Sequence, residues 1–194
     1  MRGMSAVLEY PHRHAITTAE YLRMGEAGVF APDARLELVE GEIIEMAPIG
    51  SPHAGTVAIL TRLLGRTVGD LALVWVQNPL LLIGERSMLQ PDLALLKPRA
   101  DSYTRSHPGA ADVFLVVEVS DTTLRFDLST KIPLYARAGI GEAWVVDLEA
   151  RAVRVFREPD PSGYRTSFAV SGDNKVACGS LPAVAARVSE LFPG

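Results

Sequence analysis

Asp92, Glu118 and Lys131 have the types and spacing needed for chemistry at a shared cation. Asp92 follows Pro91 and opens an apolar strand pattern, Glu118 interrupts another, and Lys131 stands at the start of a predicted helix. Two carboxylates on neighbouring buried strands are costly unless a cation lies between them. Hard divalent ions prefer such oxygen ligands, and a nearby lysine can hold and activate the attacking water or stabilise charge on a phosphate. The three residues therefore predict metal-dependent cleavage of a phosphodiester bond.

Each of these residues also has a plainer interpretation. Asp92 is the kind of residue that sits beside proline in turns. Glu118 is rarely buried without a partner, and a structural salt bridge would explain it. Asp127 lies four residues before Lys131, so these two could form a surface pair worth a few tenths of a kcal/mol. The position of Glu118 inside VFLVVEV favours a ligand or a catalytic role for it.

The composition is that of one globular domain. The chain has 194 residues, of which 48% are hydrophobic and 22% are charged. Its one cysteine excludes an internal disulfide. The first residues lack the apolar core of a signal peptide, and no apolar run approaches the roughly 20 residues of a membrane span. We therefore expect a soluble cytoplasmic protein that does not associate with a membrane.

The net charge counts against a nucleic-acid substrate. It is −4 at pH 7, whereas many proteins that bind nucleic acid carry a basic excess. A local basic face around a metal would be sufficient. The arginines that are candidates for such a face are Arg62, Arg66, Arg99, Arg105, Arg125 and Arg137.

The first half of the chain predicts an irregular, flexible segment (1–16), then a helix, a hairpin and a second helix. Thr17 or Thr18 is the N-cap of the first helix, and a Gly-containing turn at Glu40-Gly41 centres the hairpin. Ser51 is the predicted N-cap of the second helix, which runs to about Gly69.

The second half predicts most of a sheet. LALVWVQNPLLLIG reads as a strand broken at Asn78-Pro79, QPDLALLK as the next strand, and VFLVVEVS as a central strand covered on both faces. A helix follows that includes Lys131 through Ala138, begins at Asp127 or near Ser129, and ends at Gly139. Two strands joined at Glu149-Ala150 come next, and finally a short strand and tail. This order predicts a mixed-sheet α/β domain over residues 17–194.

Several motifs together resemble the Uma-two family of putative restriction endonucleases, in the PD-(D/E)xK nuclease superfamily. They are QPDLALL, VFLVVEVSDTTLRFD, the K-x-x-x-Y of Lys131 and Tyr135, AGIGEAWVVD, and the hairpin LELVEGEIIEMAP with the following Ser-Pro-His. The resemblance covers roughly residues 17–160. It implies a restriction-endonuclease-like mixed β-sheet flanked by helices, with an N-terminal helix and a β-hairpin.

The same resemblance implies a ligand set. Asp92 and Glu118 would bind Mg²⁺ or Mn²⁺, with the backbone carbonyl of Val119 as a third oxygen. Ser120 stands where the superfamily usually has its lysine, and the resemblance moves that lysine to Lys131 on the following helix.

Further residues are candidates at the periphery of the site: Glu37, Glu40, His53, Ser120 and Tyr135. Glu37 alternates with Leu36 and Leu38, which predicts an exposed side chain, although related nucleases place an extra carboxylate from an early element near the metal. His53 shares the apolar face of its helix; it is either turned towards the site or a hydrogen-bonded, partly buried histidine. Tyr135 is expected to pack in the core.

The sequence leaves three functions to distinguish. The first is a metal-dependent endonuclease acting on DNA rather than RNA. The second is a catalytically inactive nuclease-fold binding or assembly module, which the acidic charge and the missing E-x-K lysine favour. The third, a small-molecule hydrolase, lacks a nucleophile motif such as G-x-S-x-G. A homodimer is expected for double-strand cutting, with apolar edge strands in LLLIGE and RAVRVFRE as its contact surface.

Overall fold

The computed structural model describes residues 13–82, 84 and 86–192. Most of the segment expected to be flexible, residues 1–12, therefore lies outside the described residues. Next to it, Ile16 donates its backbone N–H to the carbonyl of Gly41.

The described residues form four α-helical segments and twelve strands. The helices are α1 (Thr18–Glu26), α2 (Ser51–Val68), α3 (Leu124–Phe126) and α4 (Ile132–Arg137). The strands are β1 (Leu36–Val39), β2 (Glu42–Glu45), β3 (Leu73–Val76), β4 (Leu80–Leu81), β5 (Met88–Leu89), β6 (Leu93–Leu96), β7 (Val113–Ser120), β8 (Glu142–Asp147), β9 (Ala152–Asp160), β10 (Gly163–Ser171), β11 (Lys175–Ala177) and β12 (Ala185–Arg187).

A six-stranded mixed sheet is the centre of the fold, in the order β10-β9-β8-β7-β6-β3. The pairing of β7 with β8 is parallel, because the helical crossover returns the chain to the same end of the sheet, and the other pairings are antiparallel. Seven of the eight residues of β7 are buried, as the unbroken apolar run VFLVVEVS predicts. The predicted mixed α/β architecture is confirmed.

The two faces of this sheet carry separate hydrophobic cores. One face packs against α2 through Val57, Leu60 and Leu64, which recur at helical spacing. The other face, with Val116 and Val145, packs against the helical crossover and the small sheet. Both faces are covered, so a charged side chain placed on β7 has to be buried.

A second sheet is built on the predicted hairpin, in the order β2-β1-β5-β4. Glu40 and Gly41 both have positive φ, as a two-residue hairpin turn requires. Ala15 also packs closely against Gly41. A Cβ atom at position 41 would lie 2.7 Å from the Ala15 side chain, so there is no room for a larger residue. This sheet carries Glu37 towards the main sheet.

The crossover helix after β7 contains a π-helical turn. α3 runs directly into this turn (Asp127–Lys131), and α4 follows with Pro133 in its first turn. The predicted helix is present and ends before Gly139, which has a φ of 78°. Lys131 is the last residue of the π turn, within the helical segment and not at its start. Such turns occur often at functional sites.

Four expectations about elements were wrong in detail. Gly50 and not Ser51 is the N-cap of α2. The strand broken at Asn78-Pro79 becomes β3 and β4, which belong to different sheets. The chain closes with a nine-residue strand, β10, and the short pair β11-β12 instead of one short strand. RAVRVFRE forms β9, whose two edges are both paired, so it offers no free edge to a second subunit.

Helices long and apolar enough to cross a membrane are absent from the described part of the chain.

Candidate active site

A cleft opens at one end of the strands of the main sheet, where β7 ends and β6 begins. Its volume is about 60 Å³. It is lined by residues from both sheets, from the N-terminus of α2 and from the crossover: Arg35, Glu37, Met46, Ala47, Pro48, Ile49, Gly50, His53, Gln90, Asp92, Glu118, Val119, Asp121, Thr122, Thr123, Asp127 and Lys131.

Asp92 lies immediately before β6 and is held by three donors. Its Oδ2 accepts hydrogen bonds from the Val119 backbone N–H at 2.8 Å and from His53 Nε2 at 3.0 Å. Its Oδ1 accepts one from Gln77 Nε2 at 3.2 Å. Burial alone would raise the pKa of Asp92, but the three donors outweigh burial and lower that pKa. Asp92 is therefore an oriented carboxylate that stays ionised.

Glu118 lies on β7, and its carboxylate is contacted from the crossover. The pairing of Leu93 with Val117 places Asp92, the residue before β6, beside Glu118 on the neighbouring strand β7. Tyr135 donates its hydroxyl to Glu118 Oε1, and Lys131 Nζ lies 3.3 Å from the carboxylate. Desolvation raises the pKa of Glu118 well above its ordinary value, and Lys131 opposes that rise.

Lys131 is buried between two carboxylates. Its Nζ lies 3.0 Å from Glu37 Oε1 and 3.3 Å from Glu118, and only 3% of the residue is exposed. Burial would lower the pKa of Lys131, but the Glu118 and Glu37 charges outweigh it and raise that pKa. The surface pair with Asp127 is not formed, since Asp127 is itself buried and accepts hydrogen bonds from Ser120 and Thr123.

The cleft contains more buried carboxyl groups than its buried lysine can balance. Glu37, Asp92, Glu118 and Asp127 are all buried, and Lys131 is the buried cation that faces them. Since isolated buried charges are costly, the excess favours binding of a further cation. Carboxylates and a backbone carbonyl are the oxygen ligands that Mg²⁺ and Mn²⁺ prefer.

The donor set suits a sparsely ligated ion better than an enclosed metal site. Within residues 13–82, 84 and 86–192, no three His, Cys, Asp or Glu side chains converge as a ready-made ligand group. Mg²⁺ usually keeps several waters and uses one or two carboxylates, so Asp92, Glu118 and the Val119 carbonyl fit it. A buried carboxylate oxygen, Glu37 Oε2, has no hydrogen-bond partner beside them.

The structure locates the five peripheral candidates differently from one another. Glu37 is 3% exposed, so its predicted exposure was wrong: the face of the hairpin that carries it is covered by the main sheet and the crossover.

The other four candidates differ in how they contact the cleft. His53 is partly buried and bonded to Asp92, and its Nδ1 is buried without a partner. Ser120 bonds Asp127, and Tyr135 bonds Glu118 from inside the core. Glu40 is exposed, pairs with Arg137, and does not line the cleft.

Sequence reasoning missed two residues of the site. Arg35 lies in the loop before β1, donates to the Ala47 carbonyl, and is an exposed cation at the cleft. Gln77 follows β3 and holds Asp92. Neither residue belongs to a recognisable motif, and their positions depend on which strands pair. The six arginines considered for a basic face do not line this cleft.

Comparisons with known proteins agree with this architecture. The protein family described as "Uma2: Putative restriction endonuclease" matches residues 18–189. One solved structure that is similar to the chain is a crystal structure of a putative nuclease belonging to DUF820 from Anabaena variabilis, with a TM-score of 0.69 and 16% sequence identity. The match covers 91% of this chain and 97% of that chain. No curated protein sequence matches significantly. At this identity the structural likeness concerns the fold alone, and the family match confirms the resemblance seen in the motifs.

Proposed function

Because the chain belongs to the Uma2 family of putative restriction endonucleases, we propose that it is a metal-dependent endonuclease that hydrolyses phosphodiester bonds in DNA. The observation that carries this proposal is the convergence of Asp92, Glu118 and Lys131 in one cleft that has an excess of buried carboxylates. Such a cleft suits a divalent cation, and phosphodiester hydrolysis is the chemistry that a cation and a lysine serve together.

Asp92, Glu118 and the Val119 carbonyl would hold Mg²⁺ or Mn²⁺. A bound ion of this kind polarises a phosphoryl oxygen and lowers the pKa of a water molecule. The hydrogen bonds from His53, Gln77 and the Val119 N–H keep the Asp92 carboxylate ionised and fixed in direction, which a ligand requires.

Lys131 would stabilise the negative charge that develops on the phosphate. Its ammonium stays protonated because two carboxylates raise its pKa. It is also held inside the protein, where an interaction between charges is stronger than in water. A fixed cation of this kind costs no rearrangement when charge develops on the substrate.

The size of the cleft limits what enters it. A volume of about 60 Å³ admits a few water molecules, and is far below the roughly 300–1,000 Å³ of sites that enclose a drug-sized ligand. The scissile phosphate would therefore reach in from the mouth while the bases remain outside. Arg35, exposed at that mouth, would contact the phosphate backbone.

A homodimer remains part of the proposal, because cutting both strands needs two active sites. The main alternative is a catalytically inactive binding or assembly module with the same fold. The net charge of −4 favours that alternative, because it weakens attraction to a polyanion.

Nicking of supercoiled plasmid in Mg²⁺, in Mn²⁺ and in EDTA tests the proposal. We expect wild-type protein to cut with either ion and not in EDTA. Glu118→Gln keeps the shape of the side chain but removes charge from the ligand set, so it should abolish cutting and weaken binding of the ion measured by calorimetry. Glu40→Gln, an exposed glutamate outside the cleft, is the matched control. Wild-type protein that cuts neither plasmid nor single-stranded oligonucleotides would favour the binding module.

A further inference from the structure

Glu37 reaches the cleft from a different sheet than the other carboxylates. It lies on β1 of the four-stranded sheet, 94 residues away from Lys131 along the chain, and its Oε1 is 3.0 Å from Lys131 Nζ. The same Oε1 accepts the Gln90 backbone N–H at 2.9 Å. Because Gln90 is two residues before Asp92, Glu37 contacts the lysine and the chain next to the aspartate at once.

The Lys131 ammonium lies closer to Glu37 than to Glu118, at 3.0 Å from Glu37 Oε1 and 3.3 Å from the Glu118 carboxylate. A carboxylate that binds a cation becomes a weaker hydrogen-bond partner for an ammonium. A cation bound by Glu118 would therefore weaken the contact between Glu118 and Lys131. Glu37 Oε2 is buried and has no partner, which leaves it free to accept a second N–H from the three that an ammonium offers.

We propose that Glu37 is a positioning residue that holds the Lys131 ammonium in the cleft while Glu118 serves the cation. The role rests on the proposed function, but the contact that it depends on does not. Through this contact the small sheet takes part in the chemistry without touching the substrate. Without Glu37, Glu118 is the one carboxylate among the described residues that stays within hydrogen-bond distance of the Lys131 ammonium, so we expect the ammonium to follow the Glu118 side chain.

Lysine NMR measures the position of Lys131 directly. The chain contains three lysines, Lys97, Lys131 and Lys175, so selective lysine labelling gives three side-chain ammonium signals. Lys97 and Lys175 are exposed, and their ammonium protons exchange rapidly with water. Lys131 is buried between two carboxylates, so its protons are protected. We expect Glu37→Gln to shift the Lys131 signal and to speed its proton exchange by about tenfold or more, with Glu40→Gln unchanged.

Cleavage kinetics supply the second measurement. Partners that orient a catalytic group typically cost about 10- to 100-fold in activity when removed, and we expect that loss in kcat for Glu37→Gln. KM for the DNA and the affinity for Mg²⁺ should stay near those of wild type. Glu37→Asp keeps the charge with a shorter reach, and should recover part of both the Lys131 protection and kcat. It also serves if Glu37→Gln does not fold.

Two results would overturn the inference. In the first, Lys131 keeps its signal and its slow exchange in both Glu37 variants. In the second, the variants lose affinity for Mg²⁺ while Lys131 is unaffected, which would make Glu37 a direct ligand. An inactive wild-type protein would defeat the proposed function but not this contact, since the NMR experiment needs no cleavage.

Discussion

At the scale of single residues, burial decides what each charge of the site contributes. A lysine on the surface of a helix adds a few tenths of a kcal/mol through an i,i+4 pair. Lys131 instead lies between two buried carboxylates. Removing one partner from a buried ionic group leaves charges without compensation, and this costs about 3–5 kcal/mol.

Lys131→Ala should therefore destabilise the protein strongly. We expect its free energy of unfolding, measured by urea denaturation without metal, to fall by about 3–5 kcal/mol. Saturating Mg²⁺ should stabilise this variant more than wild type, because a bound cation takes over part of the compensation. Lys175→Ala, at an exposed position, is the control. Equal stability of Lys131→Ala and Lys175→Ala would show that the lysine is not held between the carboxylates.

Some residues of the cleft could be predicted from local sequence patterns, whereas others depend on how distant parts of the chain pack. Glu118 is recognisable because a carboxylate inside an apolar strand is costly wherever the strand packs. Asp92 is recognisable from the QPDLALL motif that carries the family resemblance. The alternation around Glu37 gives the face of the hairpin on which it lies, but not what covers that face. Whether Glu37 is exposed or paired with Lys131 depends on how the two sheets meet, and no local pattern encodes that.

At the scale of elements, the β8–β9 hairpin is fixed by a buried carboxylate at its turn. Asp147, the last residue of β8, accepts the Ala150 backbone N–H at 2.9 Å and pairs with Arg154 at 2.8 Å. Burial alone would raise the pKa of Asp147, but these partners lower it. The ionised form is thus favoured by folding, so Asp147 stabilises the protein above the ordinary carboxyl pKa of 3.8.

Asp147→Asn should lose this contribution in a pH-dependent way. At pH 7 we expect it to reduce the free energy of unfolding by about 1–3 kcal/mol, because hydrogen bonds to a charged group are lost. As the pH falls through the lowered pKa of Asp147, the wild-type carboxyl is protonated and the difference should close. Urea denaturation of both proteins at pH 7 and in acid measures this, with Asp33→Asn at an exposed position as control. A difference that is constant with pH would exclude the charge as its origin.

Elements were predictable where local pattern and tertiary fold agree. The capping box of Thr17 and Glu20, the positive φ pair at Glu40-Gly41 and the apolar run of β7 each specify their element locally. β10 was underestimated because its residues are mostly exposed or half-buried, with little apolar periodicity. The division of β3 and β4 between two sheets is a consequence of packing, since Asn78-Pro79 indicates a break but not its direction.

At the scale of the whole molecule, the proposed function has to overcome a net charge of −4 and a cleft with buried carboxylates, so binding of a polyanion would depend on the divalent cation. A bound cation would offset charge at the cleft, where repulsion of the scissile phosphate would be greatest, and Arg35, exposed among the described residues that line the cleft, would add a local attraction. Substrate binding would then be coupled to occupancy of the proposed metal site instead of to a broad basic face.

Assembly of two copies would need a free strand edge. The homodimer expected for double-strand cutting cannot use β9, whose two edges are paired, but β10 is one of the two edge strands of the main sheet and the longer of them. A nine-residue edge can pair with its own copy across a two-fold axis, and Phe168 on β10 is 43% exposed. Light scattering at micromolar concentration should therefore give twice the chain mass of 20.9 kDa.

Phe168→Glu places a charge in the proposed contact between the two β10 strands, so the mass measured by light scattering should fall to that of the monomer. Leu71→Glu, at another exposed apolar residue, is the control and should leave the dimer intact. If the assembly serves function, the Phe168→Glu monomer should still nick supercoiled plasmid but lose most of its linearisation, because linear product requires both strands to be cut in one encounter. A wild-type monomer would refute the dimer, and a dimer that survives Phe168→Glu would move the contact away from β10.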